Sequence, residues 1–150
     1  MLSRTIDTPT GPFTLTEEDG AIVGAGWGGS GEDRSALLDR ATAQVGAYFD
    51  GVREAFDLPL APQVSDVQAR FLDALLAIPF GRTRTYGEMA KELGLSAQAA
   101  GQLCGANPIA LIIPCHRVLG ASSLGGFSAP DGVETKVWLL RHERAAGLLI

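Results

Sequence analysis

Cysteine and histidine are scarce in this chain of 150 residues: there are two of each, and all four, Cys104, Cys115, His116 and His142, lie in its second half. Two cysteines are too few for a disulfide framework, so a reducing cytoplasmic setting is expected, where a thiol can serve as a reagent. The four side chains do not have metal-ligand spacing, and no metal and no cofactor are expected. Long apolar runs are also missing. No segment approaches the roughly eighteen consecutive apolar residues of a membrane-spanning helix, so no membrane partner is expected. The first residues, Met1 to Asp7, lack the apolar stretch of a secretory signal and already carry an acid. Positive charge is in deficit: 12 Lys and Arg stand against 17 Asp and Glu, a net charge of −5, which by itself argues mildly against a nucleic-acid partner.

The deficit is uneven. Before Asp66 there are four Arg and ten acids, whereas from Asp66 onward eight basic residues face seven acids. Only the second half can approach phosphates without strong repulsion. Composition is otherwise that of a soluble globular protein, with 46% hydrophobic residues, enough to build one compact domain or two small ones.

The texture of the chain changes near residue 63. Short alternating runs at Ser3–Asp7, Pro12–Thr16 and Ala21–Trp27, with Asp19-Gly20 as a hairpin turn, predict antiparallel strands. Helical spacing follows over Ser35–Phe49, then a fourth strand is expected at Ala55–Leu58 and a linker at Pro59–Pro62. Beyond it the pattern is helical. Ser65 to Ile78 carries Val67, Phe71, Leu72, Leu75 and Leu76 as its buried stripe; Tyr86–Leu93 ends at Gly94, and Ser96 caps a helix to Cys104. Two short helices about a glycine turn resemble a helix-turn-helix. A Gly-rich loop, Gly120–Gly132, precedes a last helix, Val133–Arg144, and Trp27 and Trp138 read as core anchors. The expected fold is α/β (α+β): an N-terminal domain of antiparallel sheet and helix over residues 1–63, and a helical, winged-helix-like C-terminal domain over residues 64–150.

The segment with most chemistry is Asn107-Pro108-Ile109-Ala110-Leu111-Ile112-Ile113-Pro114-Cys115-His116-Arg117-Val118. A thiol that attacks carbon must be a thiolate, and a neighbouring His can take its proton while a carboxylate orients that His. Cys115, His116 and the distant Glu143 supply the three groups. Adjacent strand residues point to opposite sides, so the pair must lie in a turn, which Pro114 favours.

Pro114-Cys115-His116-Arg117-Val118 resembles the active-site signature of the O6-alkylguanine-DNA alkyltransferases. Ile78-Pro79-Phe80-Gly81, Thr85-Tyr86-Gly87-Glu88, Asn107-Pro108 and Val137-Trp138-Leu139-Leu140-Arg141-His142-Glu143 resemble flanking segments of that family. The resemblance covers roughly Phe71 to Glu143; the preceding residues match only in outline. It implies a protein that repairs double-stranded DNA by moving an alkyl group irreversibly from O6-alkylguanine onto Cys115, as a monomer with no obligate protein partner. His116 would deprotonate Cys115 through water, Glu143 would hold His116, and Asn107 would stabilise the turn. Tyr86 would help rotate the nucleotide out of the stack and contact the flipped base. Ser128 would donate to the O6 oxygen and the Val118 backbone would recognise guanine. Ala97, Gln98 and Gly101 would meet DNA on the second helix of the helix-turn-helix, and Arg82, Arg84 and Arg117 would add DNA contacts.

Two positions depart from the family. Gln98 stands where most members place an Arg that fills the space left by the flipped base, and the loop through Asp131 is longer and more acidic than usual. Weaker DNA binding or slower flipping is the expected result. Two other readings are a lesion-binding protein without catalysis, although such proteins lack the acceptor cysteine, and a thiol acceptor for a non-DNA substrate. Cys104 reads as packing on the second helix, and His142 as a surface or helix-end residue.

Overall fold

The computed structural model describes residues 1–127, 129 and 132–145. It is mixed α and β, as the patterning predicts, and divides into two compact units.

The first unit comprises Met1–Gln63 together with Pro108–Ile112. Strands β1 (Leu2–Thr8), β2 (Gly11–Glu18) and β3 (Ala21–Trp27) form an antiparallel sheet in sequence order. Phe13 and Leu15 alternate inward on β2, whereas the buried residues of β3, Ile22 and Ala25, are three apart. A register shift explains the spacing. Thr16 pairs with Gly24 but Glu17 pairs with Ile22, so Val23 is the extra residue of a bulge that turns both apolar side chains to the same face. Helix α1 (Ala36–Phe49) covers that face with Leu38, Ala41, Val45 and Tyr48. Ser35 caps it from outside, accepting from the Leu38 amide at 2.9 Å.

The strand expected at Ala55–Leu58 does not form. The buried Gln44 amide bonds both backbone groups of Asp57, at 3.0 and 2.9 Å, and so stands in for a strand partner. Sheet-like pairing comes only at Leu60, which bridges Ile22, and the returning segment adds a second parallel bridge, Ala25 to Ile109. The division expected at 63/64 is therefore not contiguous, because Pro108–Ile112 belongs with the first unit. Trp27 is only half-buried, edge-on to Phe13 with its Nε1 donating to Thr10.

The second unit contains Val64–Asn107 and the described residues from Ile113 on. Helix α2 spans Asp66–Leu76, capped by Ser65, and stops before Ile78-Pro79 because the residue preceding proline leaves the helical region. Its buried stripe is narrower than expected: Phe71, Leu72 and Leu75 are inside, while Val67 and Leu76 are exposed. A two-residue strand β4 (Arg84–Thr85) leads into α3 (Tyr86–Leu93), which opens on a reciprocal capping box between Thr85 and Glu88. Gly94 ends it at φ +70°, and Ser96 caps α4 (Ala97–Gly105). The pair α3 and α4 is the expected helix-turn-helix. A one-turn 3-10 helix at Cys115–Arg117 runs into β5 (Val118–Leu119), and α5 (Val133–His142) follows. Trp138 is not a core anchor; it lies half-buried on α5, stacked on His142 with centroids 5.0 Å apart. Among the described residues no helix is long and apolar enough to cross a membrane.

Candidate active site

The local sequence builds a sharp presentation of Cys115. Pro114 sits at φ −82°, ψ 66°, and the Cys115 amide donates back to the Ile113 carbonyl at 2.8 Å, the geometry of an inverse γ-turn. The Asn107 side chain donates to the same carbonyl, also at 2.8 Å. The chain then tightens into the 3-10 turn, where successive side chains diverge by a third of a rotation. Cys115, His116 and Arg117 thus face different surroundings, and all three are buried.

His116 and Arg117 converge on Glu143, the residue that ends α5. The His116 Nε2 lies 2.7 Å from one carboxylate oxygen, and Arg117 donates through Nε and Nη2 at 2.8 and 3.1 Å. Arg117 also donates from Nη1 to the Ile78 carbonyl at 2.6 Å. Burial alone would raise the Glu143 carboxyl, but the hydrogen bonds and charges of His116 and Arg117 prevail and hold it at about 2. An ionised carboxylate only accepts, so His116 carries its hydrogen on Nε2. Burial lowers the His116 pKa, opposed by Glu143 and reinforced by Arg117 and Lys136. The ring is therefore neutral, and its Nδ1 is a lone-pair acceptor, buried and without a hydrogen-bond partner among the described residues.

The parallel pairing of β4 with β5, Arg84 to Val118 and Thr85 to Leu119, brings the start of α3 beside the cysteine turn. Tyr86 is placed there with its pKa pushed up to about 12, by burial first and then by the Cys104 and Cys115 thiols, so it remains a hydroxyl donor. The loop after β5 packs on this ring. A Cβ on Gly125, whose φ is +74°, would sit 2.9 Å from a Tyr86 ring carbon, so the close approach needs glycine.

Lys136 was not singled out by the sequence reading. It is fully buried, with Nζ 2.6 Å from the Val118 carbonyl, 3.3 Å from the Gly126 carbonyl and 5.7 Å from the Tyr86 ring centroid. Burial lowers its pKa, and the two thiols oppose that shift. A signal for it exists: Lys136 falls three and four positions before Leu139 and Leu140, on the buried stripe of α5. Arg117 and Lys136 against Glu143 leave one positive charge in the cluster, which a Cys115 thiolate balances. The Cys115 thiol is indeed held below its ordinary range, by a hydrogen bond from Cys104 first, against the effect of burial, with Asn107 and Lys136 adding to the lowering.

The other expected contacts divide. Ala97 and Gln98 are exposed and Gly101 half-exposed on one face of α4, whose opposite face buries Ala100 and Cys104. Arg82 is exposed. Arg84 pairs with Glu92 at 3.1 Å, so part of its charge is already engaged. Arg117 is not available to DNA, because burial and its bonds to Glu143 and Ile78 make it a brace for the site. The Val118 carbonyl is used by Lys136, and its side chain is in the core. Ser128 and Asp131 lie outside the described residues. Among the described residues no cluster of ligating side chains suited to a metal ion occurs.

Two family models match the chain: the ribonuclease-like domain of 6-O-methylguanine DNA methyltransferase over residues 1–62, and its DNA-binding domain over residues 66–145. A methylated-DNA–protein-cysteine methyltransferase of Mycolicibacterium paratuberculosis is 38% identical, covering 94% of this chain and 91% of the relative. One of the same name from Methanosarcina acetivorans is 44% identical over 74% of this chain and 72% of its own. The crystal structure of the Mycobacterium tuberculosis O6-methylguanine methyltransferase superimposes with a TM-score of 0.84 at 37% identity, covering 95% and 92% of the two chains. That organism's OGT in complex with DNA gives 0.85 at 37% identity, covering 96% and 93%.

Proposed function

The chain belongs to the 6-O-methylguanine DNA methyltransferase family, and from that premise we propose that Cys115 is the acceptor that takes an alkyl group from O6-alkylguanine in double-stranded DNA. The activity is DNA repair by direct reversal, that of a methylated-DNA–protein-cysteine methyltransferase. The observation that carries the assignment to Cys115 is the neutral, oriented imidazole beside it: Nε2 is committed to Glu143, and Nδ1 retains its lone pair.

In this reading Nδ1 of His116 takes the thiol proton through a water, and Glu143 stabilises the imidazolium that forms. The Cys115 thiolate attacks the alkyl carbon in line; the S–C bond forms as the C–O6 bond breaks, and the electron pair leaves with guanine. The proton taken from the thiol returns to the departing base, so the sum is neutral thiol plus alkylguanine to thioether plus guanine. Lys136 donates to the Val118 carbonyl, and its charge favours the Cys115 thiolate. Tyr86, which stays protonated, donates to the flipped base, and Ser128 donates to O6. A thioether is not hydrolysed, so each molecule acts once. The small, uncharged face of α4, with Ala97, Gln98 and Gly101, lies against DNA as a monomer's docking surface, helped by Arg82.

The test is the fate of the lesion. A duplex carrying O6-methylguanine, incubated with the protein, is expected to lose its methyl group in one stoichiometric burst that Cys115→Ser abolishes. Tight binding without loss of the methyl group would support the lesion-binding alternative, and neither binding nor loss would point to a non-DNA substrate.

A further inference from the structure

Lys136 is fully buried on α5, yet among the described residues no carboxylate pairs with its ammonium. A buried cation needs hydrogen-bond acceptors to offset its lost hydration. Here they are two backbone carbonyls, Val118 at 2.6 Å and Gly126 at 3.3 Å. These two residues bound a loop: Val118 opens β5, and residues 119–125 separate it from Gly126. The loop has little order of its own. Ala121, Ser122 and Ser123 are exposed, and the Gly125 amide reaches the Ser123 hydroxyl only at 3.4 Å. Its base is closed instead by one ammonium carried on the inward face of a helix. The same groups meet at Tyr86. Nζ lies 5.7 Å from the ring centroid, and the backbone at Gly125 comes so near that a Cβ there would sit 2.9 Å from the ring.

We propose that Lys136 is a positioning residue that clasps the loop of residues 119–125 at its base and seats it on Tyr86, shaping the pocket that receives the flipped base. The inference rests on the roles of Tyr86 and Ser128 given above, and it adds to the effect of Lys136 on the Cys115 thiolate. An ammonium has three hydrogens and no acceptor, so it binds two carbonyls at once and leaves one hydrogen toward the aromatic face. Helix α5 fixes where the ammonium stands, because Leu139 and Leu140 hold the same stripe in the core. Without the clasp the loop keeps its covalent ends but loses the bond that fixes Gly126, two residues before Ser128. The close approach of Gly125 to Tyr86 then has nothing to hold it.

The two roles of Lys136 separate by reagent. Carbamidomethylation of Cys115 by iodoacetamide needs the thiolate alone, whereas methyl transfer from duplex DNA needs the thiolate and the seated loop. The ratio of the two rates at one pH therefore cancels the thiolate fraction. Lys136→Met is expected to lower that ratio by about tenfold to a hundredfold, the scale on which misplaced reactants lose rate, and part of the transfer deficit persists at high pH. Lys136→Arg, which keeps the charge and several donors, should restore part of the ratio. Gly125→Ala leaves Lys136 in place but drives the loop off the ring; it should lower the ratio without moving the pH midpoint of carbamidomethylation. Nitrogen relaxation order parameters of the loop amides need no DNA. They are expected to fall from about 0.85 in the wild type to below about 0.6 in both variants, while α3 and α4 stay rigid. A structural role alone would lower melting temperatures and leave the ratio where it is. An unchanged ratio, or unchanged loop order, in whichever of Lys136→Met and Gly125→Ala folds overturns the proposal. A wild-type protein that moves no methyl group would instead refute the assignment of Cys115, and the loop order would still decide the clasp.

Discussion

Replacing Glu143 by Gln removes one charge and one acceptor oxygen from the most tightly bonded side chain of the site while preserving its shape. In the wild type its two oxygens serve three donors, His116 Nε2 and two nitrogens of Arg117. A Gln amide offers one oxygen and one N–H2, so at least one cationic N–H of Arg117 or the His116 N–H must face another donor. The larger effect is the charge. With Glu143 neutral, Arg117 and Lys136 bring two buried positive charges, of which a Cys115 thiolate can balance one, and His116 cannot become an imidazolium between them. Breaking a buried pair by removing one partner costs about 3–5 kcal/mol, which for a chain of this size lowers Tm by on the order of 10 °C. Loss of a positioned base costs about 10²–10⁴ in rate. Thermal denaturation checks the first figure, and rapid-quench single-turnover transfer from methylated duplex, run well below the lowered Tm, checks the second. Glu143→Asp, which keeps the charge at shorter reach, should fall between. A folded Glu143→Gln protein transferring methyl at the wild-type rate would refute the reasoning, since neither charge nor tautomer control would then matter.

Lys136→Met should slow transfer at neutral pH by about tenfold or more, with the rate recovering as pH rises, because the ammonium favours the thiolate and hydroxide can replace that advantage; a pH–rate profile parallel to wild type would contradict this. Gln98→Arg should tighten DNA binding and steepen its salt dependence by about one unit of log–log slope, read by fluorescence anisotropy at several salt concentrations; unchanged affinity would leave α4 without the assigned role. Stability should fall on acidification, measured by urea unfolding. His116 has a folded pKa below its unfolded value of 6.5, so its contribution is complete above that pH and declines below it. Glu143, held at about 2 against 4.5, loses its contribution between those values, about 3 kcal/mol in all. A Glu143→Gln protein should lack the lower step.

Much of this was legible in the sequence because it depends on local rules. Ser35, Ser65, Ser96 and Thr85 cap the helices their spacing predicts, and Gly94 ends α3 in the left-handed conformation. The cysteine turn and its partner Glu143 were legible through motif chemistry. What was not legible depends on distant partners. Gln44 holds Asp57 out of the sheet across thirteen positions of sequence, which no strand propensity reveals. Arg117 looked like a DNA contact because an arginine beside a catalytic cysteine is ambiguous until Glu143 is seen to engage it. Trp138 looked like core, yet the inward positions of α5 are taken by Thr135, Lys136, Leu139 and Leu140.

The measurement that tests the central claim most directly is the intact mass and peptide map of the protein after reaction with excess duplex containing O6-methylguanine. The account predicts one added methyl group per chain, on Cys115 and not on Cys104, with no further gain on a second addition of substrate. A methyl group on any other residue, or continued turnover by a single molecule, would contradict it.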